Sequence, residues 1–265
     1  MSVPSSSSLL VQPKALPLTL PPHLSQAVWS GQALGGGQVP VLPSGHAALD
    51  AELPGGGWPC RALTEVLQVQ DGLAEWRLVL PALARLVQRG GHAFLVGAPW
   101  RPQLTALARE GVPENRLFCI EARSPLDLLW ATEQILKAGC LSAVLAWLPH
   151  VRAEALRRLQ ACAAQHAGPV FIFRPEKAAH GASPAPLRLH LSLGPSPHPL
   201  HVRLLKRRGP QHDATIVLPH WPHGLSALLP ASVTAHAHGA QGVHPGRPEI
   251  VHHVALDRAF ASIGA

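Results

Sequence analysis

The sequence predicts an α/β protein whose mostly parallel sheet is flanked by helices. Short apolar strands alternate with amphipathic helices through residues 39–219, and such units build parallel sheets with right-handed crossovers. Leu141–Leu148 is apolar at nearly every position, as expected for a strand buried on both faces. Leu187–Leu193 and Leu200–Leu204 alternate strictly between apolar and polar residues, which predicts antiparallel edge strands near the C-terminal end, each with one exposed face.

Composition divides the chain into a core and two tails. Prolines (28) and glycines (23) are abundant, and charged residues make up only 14% of the chain. We expect a flexible arm over 1–38, with a helical turn around His23–Trp29, a folded core over 39–219, and a flexible tail over 220–265. The four cysteines form no CxxC pair, and neither a signal peptide nor a membrane span is recognisable, so we expect a cytoplasmic protein.

The first half of the core contains three predicted strands separated by helices. Apolar residues recur every three or four positions between Leu73 and Val87, which indicates one face of a helix. Pro81 is expected to kink this helix or shift its start, and Gly90 with Gly91 to end it. The strands are Leu63–Val69, His92–Val96 and Arg116–Ile120, and another helix is predicted from about Pro102 to Glu110.

The helix after the third strand has the clearest boundaries. Ser124 is a typical N-cap, Pro125 suits the first helical position, and Asp127 follows three residues after the cap. Gly139 is expected to end this helix. The remaining predicted elements are the strand Leu141–Leu148, the helix Arg152–His166, the strand Pro169–Phe173 and the short edge strand Ala214–Leu218.

One continuous motif carries a family resemblance. Residues 43–59 read PSGHAALDAELPGGGWP and are followed by the strand-like segment Leu63–Val66. This run resembles the segment that leads into the phosphate loop of RecA recombinases, where glycines, a Leu-Asp pair and a strand stand at fixed spacing. The similarity continues with lower identity over about residues 39–219, and it implies a RecA-like core.

Several further stretches resemble the ImuA family more narrowly. They are ALDAELPGGGWP, LVLPALARL, LLWATEQILKAG, AVLAWLP, RRLQACA, FRPEKAAHGASPAPLRL and LLKRRG, in that order. The resemblance implies a non-catalytic accessory subunit of a damage-induced translesion synthesis complex in the SOS response. Its implied partners are an ImuB-like protein, a DnaE-type error-prone polymerase and RecA. The alternative is a SulA-type cell-division inhibitor, which resembles the same nucleotide-free core and binds the tubulin-like division protein.

The residues that would handle a nucleotide are missing. A phosphate loop has the pattern G-x-x-x-x-G-K-[ST], but Gln68–Trp76 keeps one glycine, and Ala74 and Glu75 fall where Lys and Thr would stand. Trp147 ends the strand that should end in a magnesium-supporting Asp, and Gly97-Ala98-Pro99 replaces the carboxylate that positions water. We therefore expect no enzyme activity and no cofactor. Trp147 is interpreted as a plug in the vacated pocket.

Basic residues form two candidate contact surfaces. The net charge of +7 and the pI near 10.1 favour a polyanion or an acidic protein partner. Each cluster is a candidate site for protein or DNA contact, and each also fits an ordinary solvated surface. The first cluster is Arg203, Lys206, Arg207 and Arg208, and the second is Arg152, Arg157 and Arg158. The 17 histidines show no metal-ligand spacing with Cys or carboxylates, so no metal site is expected.

Overall fold

A computed structural model of the chain describes residues 40–218, apart from residues 73, 123, 196 and 197. The expected arm with its helical turn and the expected C-terminal tail lie outside these residues. The ten strands of the described part are β1 (Val41–Leu42), β2 (Trp58–Pro59), β3 (Leu63–Gln68), β4 (His92–Val96), β5 (Leu117–Ile120), β6 (Ser142–Trp147), β7 (Val170–Pro175), β8 (Leu187–Leu193), β9 (Leu200–Lys206) and β10 (Thr215–Leu218).

Five α-helices connect these strands in the described part of the chain. They are α1 (Ala47–Asp50), α2 (Glu75–Gln88), α3 (Leu104–Arg109), α4 (Pro125–Lys137) and α5 (Ala153–Ala163). Two 3-10 turns, Glu114–Arg116 and Glu176–His180, precede β5 and follow β7. Most predicted elements are present with ends that differ by a few residues, whereas β1, β2 and α1 were not predicted. Among the described residues no helix is both long enough and apolar enough to cross a membrane.

The main sheet has eight strands in the order β10-β9-β8-β3-β7-β6-β4-β5. The pairs among β3, β4, β5, β6 and β7, and the pair β3–β8, are parallel, whereas β8–β9 and β9–β10 are antiparallel. The predicted α/β class, the mostly parallel sheet and the antiparallel strands near the C-terminal end are confirmed. The prediction was wrong for one neighbour of β8, because Leu187–Leu193 runs parallel to β3.

Each face of the sheet has its own hydrophobic core. The first core packs α1 and α2 against residues such as Leu145, Phe171 and Leu189, and it extends from β4 to β10. The second core packs α4 and α5 against β3, β4, β6 and β7 through residues such as Val144 and Ile172. The central strands β3 and β6 are buried at every position. The protein is therefore a three-layer α/β/α arrangement with β3 near the middle.

Pro81 lies inside α2 and does not shift its start, because the helix already begins at Glu75. The helix runs through Pro81, whose ring removes the amide that would bond to the carbonyl oxygen of Arg77. His46 replaces that donor, because its Nε2 donates to the Arg77 carbonyl oxygen at 3.1 Å. Gly45, with φ of +90°, allows this approach, since a Cβ there would collide with Pro81. Residues of the RecA-like motif thus stabilise the helix that follows it.

The start of α4 is as predicted. Ser124 adopts extended backbone angles, and its Oγ accepts a hydrogen bond from the Asp127 amide at 3.2 Å. Pro125 occupies the first helical position. The cap is local in sequence, which explains why the residue pattern predicts it well.

Candidate functional site

The candidate site lies where β3 joins α2. We call residues 68–76 the phosphate-loop equivalent. Gln68 ends β3 and Glu75 begins α2, and β3 runs parallel to both of its neighbours. In parallel sheets, ligands bind at the carboxyl ends of the strands and at the N-termini of the following helices. The phosphate-loop equivalent therefore occupies the position at which a phosphate would bind.

A carboxylate of the chain itself occupies the centre of this loop. Oε1 of Glu75 accepts hydrogen bonds from the Gly72 amide (2.5 Å) and from Gln68 Nε2 (2.8 Å). Oε2 accepts from the Ala74 amide at 3.0 Å. Glu75 is only 1% exposed. Backbone amides that would bind phosphate oxygens in an active phosphate loop bind carboxylate oxygens here.

Trp147 closes the site from the neighbouring part of the sheet. Its indole Nε1 donates to Glu75 Oε1 at 3.1 Å. The ring stacks on Phe173 with centroids 4.7 Å apart and an interplanar angle of 22°. Trp147 is 4% exposed. The structure thus places this side chain at the end of β6, with its polar atom bonded to the carboxylate and its ring in the first core.

The charges at the loop disfavour a polyphosphate. Gln68 Nε2 also donates to Asp71 Oδ1 at 2.8 Å, so a second carboxylate lies beside Glu75. Among the described residues, Glu75 forms no salt bridge with a lysine or arginine. Two carboxylates without a counter-cation repel an anionic ligand that enters the loop.

A mainly apolar cavity of about 450 Å³ lies next to the loop. Its walls include Trp76, Leu80, Trp100, Leu107 and Trp147. Ala98 and Pro99 also line the cavity. They follow β4 and belong to the segment that, in the sequence analysis, replaces the carboxylate that positions water. Trp100 lies directly against Gly72, where a Cβ would collide with its ring. The cavity offers apolar contact rather than phosphate ligands.

A second buried carboxylate was missed by sequence reasoning. Glu65 in β3 is fully buried and forms ion pairs with Arg174 Nη1 and Arg188 Nε, each at 2.5 Å. Arg188 also donates to the carbonyl oxygens of Ala178 and Gly181, at 2.8 and 3.1 Å. The triad therefore ties β3, β7 and β8 to the loop that follows β7. A lone Glu inside an apolar strand is the one signal that could have indicated it.

The first basic cluster is not brought together as one patch. Arg207 Nη1 binds the Glu52 carboxylate at 3.1 Å and Arg207 Nε donates to the Pro210 carbonyl oxygen at 2.7 Å, so this side chain has a structural role. Lys206 Nζ donates to the Ser183 carbonyl oxygen at 2.9 Å. Arg203 and Arg208 are exposed.

The second basic cluster lies on and around α5. Arg152 is the residue before the helix. Arg157 pairs with Glu154 at 3.7 Å, and Arg158 pairs with Glu133 of α4 at 3.1 Å. All three arginines are exposed, and exposed pairs of this kind contribute little to stability.

Comparison with known proteins relates about half of the chain to curated proteins. No family model matches the chain. The cell division inhibitor SulA of Serratia marcescens is 28% identical over 134 residues, which are 49% of this chain and 79% of that protein. SulA of Pectobacterium atrosepticum is 29% identical over 138 residues, which are 52% of this chain and 79% of that protein.

The chain is similar to SulA over about half its length. A relationship to SulA, which the sequence analysis gave as the alternative to the ImuA family, is supported by these two proteins, neither of which is an ImuA protein. Sequence reasoning placed Ala74, Glu75 and Trp147 in the degenerate nucleotide site. The structure brings Glu75 and Trp147 into direct contact. It also shows that Gln68 and Gly72 bind the Glu75 carboxylate, which sequence reasoning did not predict because these hydrogen bonds depend on the folded backbone.

Proposed function

We propose that this protein is a non-catalytic accessory subunit of a damage-induced translesion DNA synthesis complex in the SOS response. The observation that carries the proposal is the Glu75 carboxylate, which takes the amides that a nucleotide phosphate would need. A RecA-like core without a usable phosphate loop acts by binding rather than by ATP turnover. In this proposed role the protein needs no cofactor and works in the cytoplasm, where DNA synthesis takes place.

The resemblance to the ImuA family supports this choice of pathway. Its segments are spread over the fold: LVLPALARL lies in α2, LLWATEQILK in α4 and RRLQACA in α5. Helices on both sides of the sheet thus carry the resemblance. The partners proposed on this basis are an ImuB-like protein, a DnaE-type error-prone polymerase and RecA.

A second candidate function is inhibition of cell division through the tubulin-like division protein. The observation in its favour is the similarity to the two SulA proteins, which are named as cell division inhibitors. A nucleotide-free core suits both functions, because each requires a protein-binding surface and no catalysis.

Damage-induced mutation frequency separates the two candidates. The gene is deleted, cells are exposed to ultraviolet light, and mutant frequency and cell length are measured together. A sharp fall in mutants with normal filamentation, restored by the wild-type gene, is expected for the accessory subunit. Unchanged mutagenesis, with filamentous growth when the protein is overproduced, would instead assign it to division control.

Co-purification tests the proposed partners directly. The full chain is expected to bind the ImuB-like protein or the DnaE-type polymerase at micromolar concentration. The absence of binding to both would contradict the proposal.

A further inference from the structure

The cavity beside the phosphate-loop equivalent reaches the surface of the described part of the chain. It holds about 450 Å³ and is lined mainly by apolar side chains, among them Trp76, Leu80 and Leu107. Trp100 lies at its rim and is 71% exposed. A volume of this size is typical of binding pockets, and apolar surface that stays accessible marks a contact site for another segment or protein. We therefore expect an apolar occupant in this cavity.

The strand directions place the cavity and the end of β10 at the same edge of the sheet. Gly72, Ala98 and Trp147 line the cavity, and they follow or end the parallel strands β3, β4 and β6. β10 runs antiparallel to β9, β9 runs antiparallel to β8, and β8 runs parallel to β3. β10 therefore has the same direction as β3. Leu218, its last residue, lies at the carboxyl edge, where the cavity is.

The strand register gives the distance between Leu218 and the cavity. Leu218 is paired with Leu200, and Leu200 with Leu193, which lies two residues beyond the partner of Gln68 in β8. Three strand spacings separate β10 from β3, and five separate β10 from β6. At about 4.8 Å for each spacing, the chain leaves β10 roughly 15–25 Å from the cavity.

The sequence after β10 contains an apolar stripe that suits the cavity. Residues 254–263 lie outside the described part of the chain and read VALDRAFASI. Leu256, Phe260 and Ile263 follow one another at spacings of four and three residues. This is the spacing of anchor side chains when an amphipathic helix binds in an apolar groove. The stripe therefore has the chemistry that the cavity requires of an occupant.

The segment that joins β10 to this stripe is long enough to reach the cavity. It consists of residues 219–255, which belong to the flexible tail that the sequence predicts. A flexible segment of this length has a root-mean-square span of roughly 30–36 Å. A span comparable to the distance to be bridged gives an effective concentration on the order of 1 mM. Binding within one molecule therefore needs only weak contacts.

We propose that residues 254–263 bind in the cavity of the same molecule and cover Trp100. Asp257 and Arg258, which lie between the anchors, are opposite in charge to Arg109 and Glu110 at the cavity. The same segment of a second molecule is disfavoured, because it binds at its own concentration and not at the effective concentration of a tethered segment. A partner protein that binds at Trp100 must first displace the segment. The inference is independent of the proposed function, since it holds for an accessory subunit and for a division inhibitor alike.

Fluorescence anisotropy with a labelled peptide of residues 250–265 tests the proposal on the full chain. The recipient is the variant Phe260→Asp/Ile263→Asp, whose own stripe carries two charges and no longer fits an apolar cavity. The peptide is expected to bind the recipient at least about tenfold more tightly than the wild type, in which the attached segment competes. The matched control Val254→Asp/Ala261→Asp adds the same charges on the opposite side of the predicted helix. It should bind the peptide as weakly as the wild type does.

Two exposed tryptophans locate the binding site. Trp100→Ala, added to the recipient, is expected to weaken peptide binding at least about tenfold, as the loss of an anchoring aromatic contact does. Trp130→Ala is the matched control, because Trp130 is 65% exposed and lies on α4, which packs in the second core on the other face of the sheet. It should leave peptide binding unchanged. Since both side chains are exposed, the thermal transition of the recipient should change little in either case.

Several results would overturn the proposal. They are the absence of peptide binding to the recipient, equal binding to the recipient and the wild type, and equal losses from Trp100→Ala and Trp130→Ala. Tighter binding of a peptide of residues 20–35, which contains Trp29, would assign the cavity to the N-terminal arm instead. Dimers of the wild type that the recipient does not form, detected by sedimentation velocity, would show that the segment binds to a second molecule.

Discussion

Two buried carboxylates, Glu65 and Glu75, lie on opposite faces of the sheet and are stabilised in different ways. Glu65, two residues after a member of the second core, is paired with Arg174 and Arg188. Glu75 has no such cation. Its carboxylate accepts hydrogen bonds from the backbone amides of Gly72 and Ala74, from the side-chain amide of Gln68 and from the indole N–H of Trp147. The first is an ion triad that joins strands, whereas the second is an anion in a cradle of dipoles.

The difference bears on the interpretation of residues 68–76 as a degenerate nucleotide site. An ion triad stabilises a carboxylate anywhere in a protein, but amides at a helix N-terminus are the usual ligands of a phosphate. A carboxylate held only by such amides and by neutral donors occupies the position of a ligand. We therefore propose that Glu75 acts as an internal substitute for phosphate, whereas the ion pairs of Glu65 join strands of the sheet.

The largest expected effect follows from Glu65→Gln. The substitution keeps the shape of the side chain but leaves Arg174 and Arg188 without a counter-charge in a buried place. Breaking a buried ion pair on one side costs about 3–5 kcal/mol, so we expect a loss of this size in the free energy of unfolding, measured with urea. Glu154→Gln is the control, because its carboxylate is 77% exposed. A loss as small as that of the control would contradict the structural role of the triad.

Glu75→Ala is expected to have the second largest effect. It leaves the buried donors of Gly72, Ala74 and Trp147 without their acceptor, and each unpaired buried donor costs about 1–3 kcal/mol before water enters. We expect a loss of about 2–3 kcal/mol in the free energy of unfolding. Glu114→Ala, at an exposed position, serves as the control. If both variants unfold at the same urea concentration, the carboxylate does not hold the loop.

Trp147→Phe removes one donor from Glu75 and is expected to have a smaller effect. Trp58→Phe is a matched control, because the Trp58 Nε1 is buried and has no hydrogen-bond partner among the described residues. Both changes replace an indole of the first core by the smaller phenyl ring. The difference between the two losses in the free energy of unfolding therefore measures the hydrogen bond from Trp147 to Glu75. Trp147→Phe should cost about 1 kcal/mol more than the control in urea unfolding. Equal costs would show that Trp147 acts by packing alone.

The smallest effect concerns a third buried ionisable group, the imidazole of His166. Burial lowers the pKa of its imidazole, and its Nε2 donates to the Ser142 carbonyl oxygen at 2.8 Å. The imidazole therefore binds its proton more tightly in the unfolded chain than in the folded protein. The stability that His166 contributes is thus fully present at pH values above the ordinary histidine pKa, and it is lost as the pH falls below that pKa. The free energy of unfolding should drop more between pH 7.5 and about 5.5 in the wild type than in His166→Gln. His180→Gln, at an exposed position, should behave like the wild type.

Local signals predicted most of the fold. Helical periodicity located α2, the Ser124 cap located α4, and a continuous apolar run located β6. The direction of β8 relative to β3 was predicted wrongly, because alternation of apolar and polar residues reports burial on one face and says nothing of strand direction. The continuity of α2 through Pro81 depends on His46, which lies 31 residues from Arg77 in the sequence.

The candidate site was predictable only in part. Comparison with the phosphate-loop pattern placed Glu75 in the loop and Trp147 near it, but the bond between them joins residues 72 positions apart. The partners of Glu65 lie 109 and 123 positions away. Such pairs are set by the packing of the sheet, which no local pattern contains.

Binding of Mg-ATP to the full chain, measured by isothermal titration calorimetry, tests the central claim that Glu75 replaces the phosphate. Wild-type protein is expected to give no binding heat at nucleotide concentrations up to about 1 mM, which corresponds to a binding free energy weaker than about −4 kcal/mol. Saturable binding at micromolar concentration, lost in a variant of the phosphate-loop equivalent such as Gly72→Ala, would contradict the claim and restore a nucleotide site to this protein.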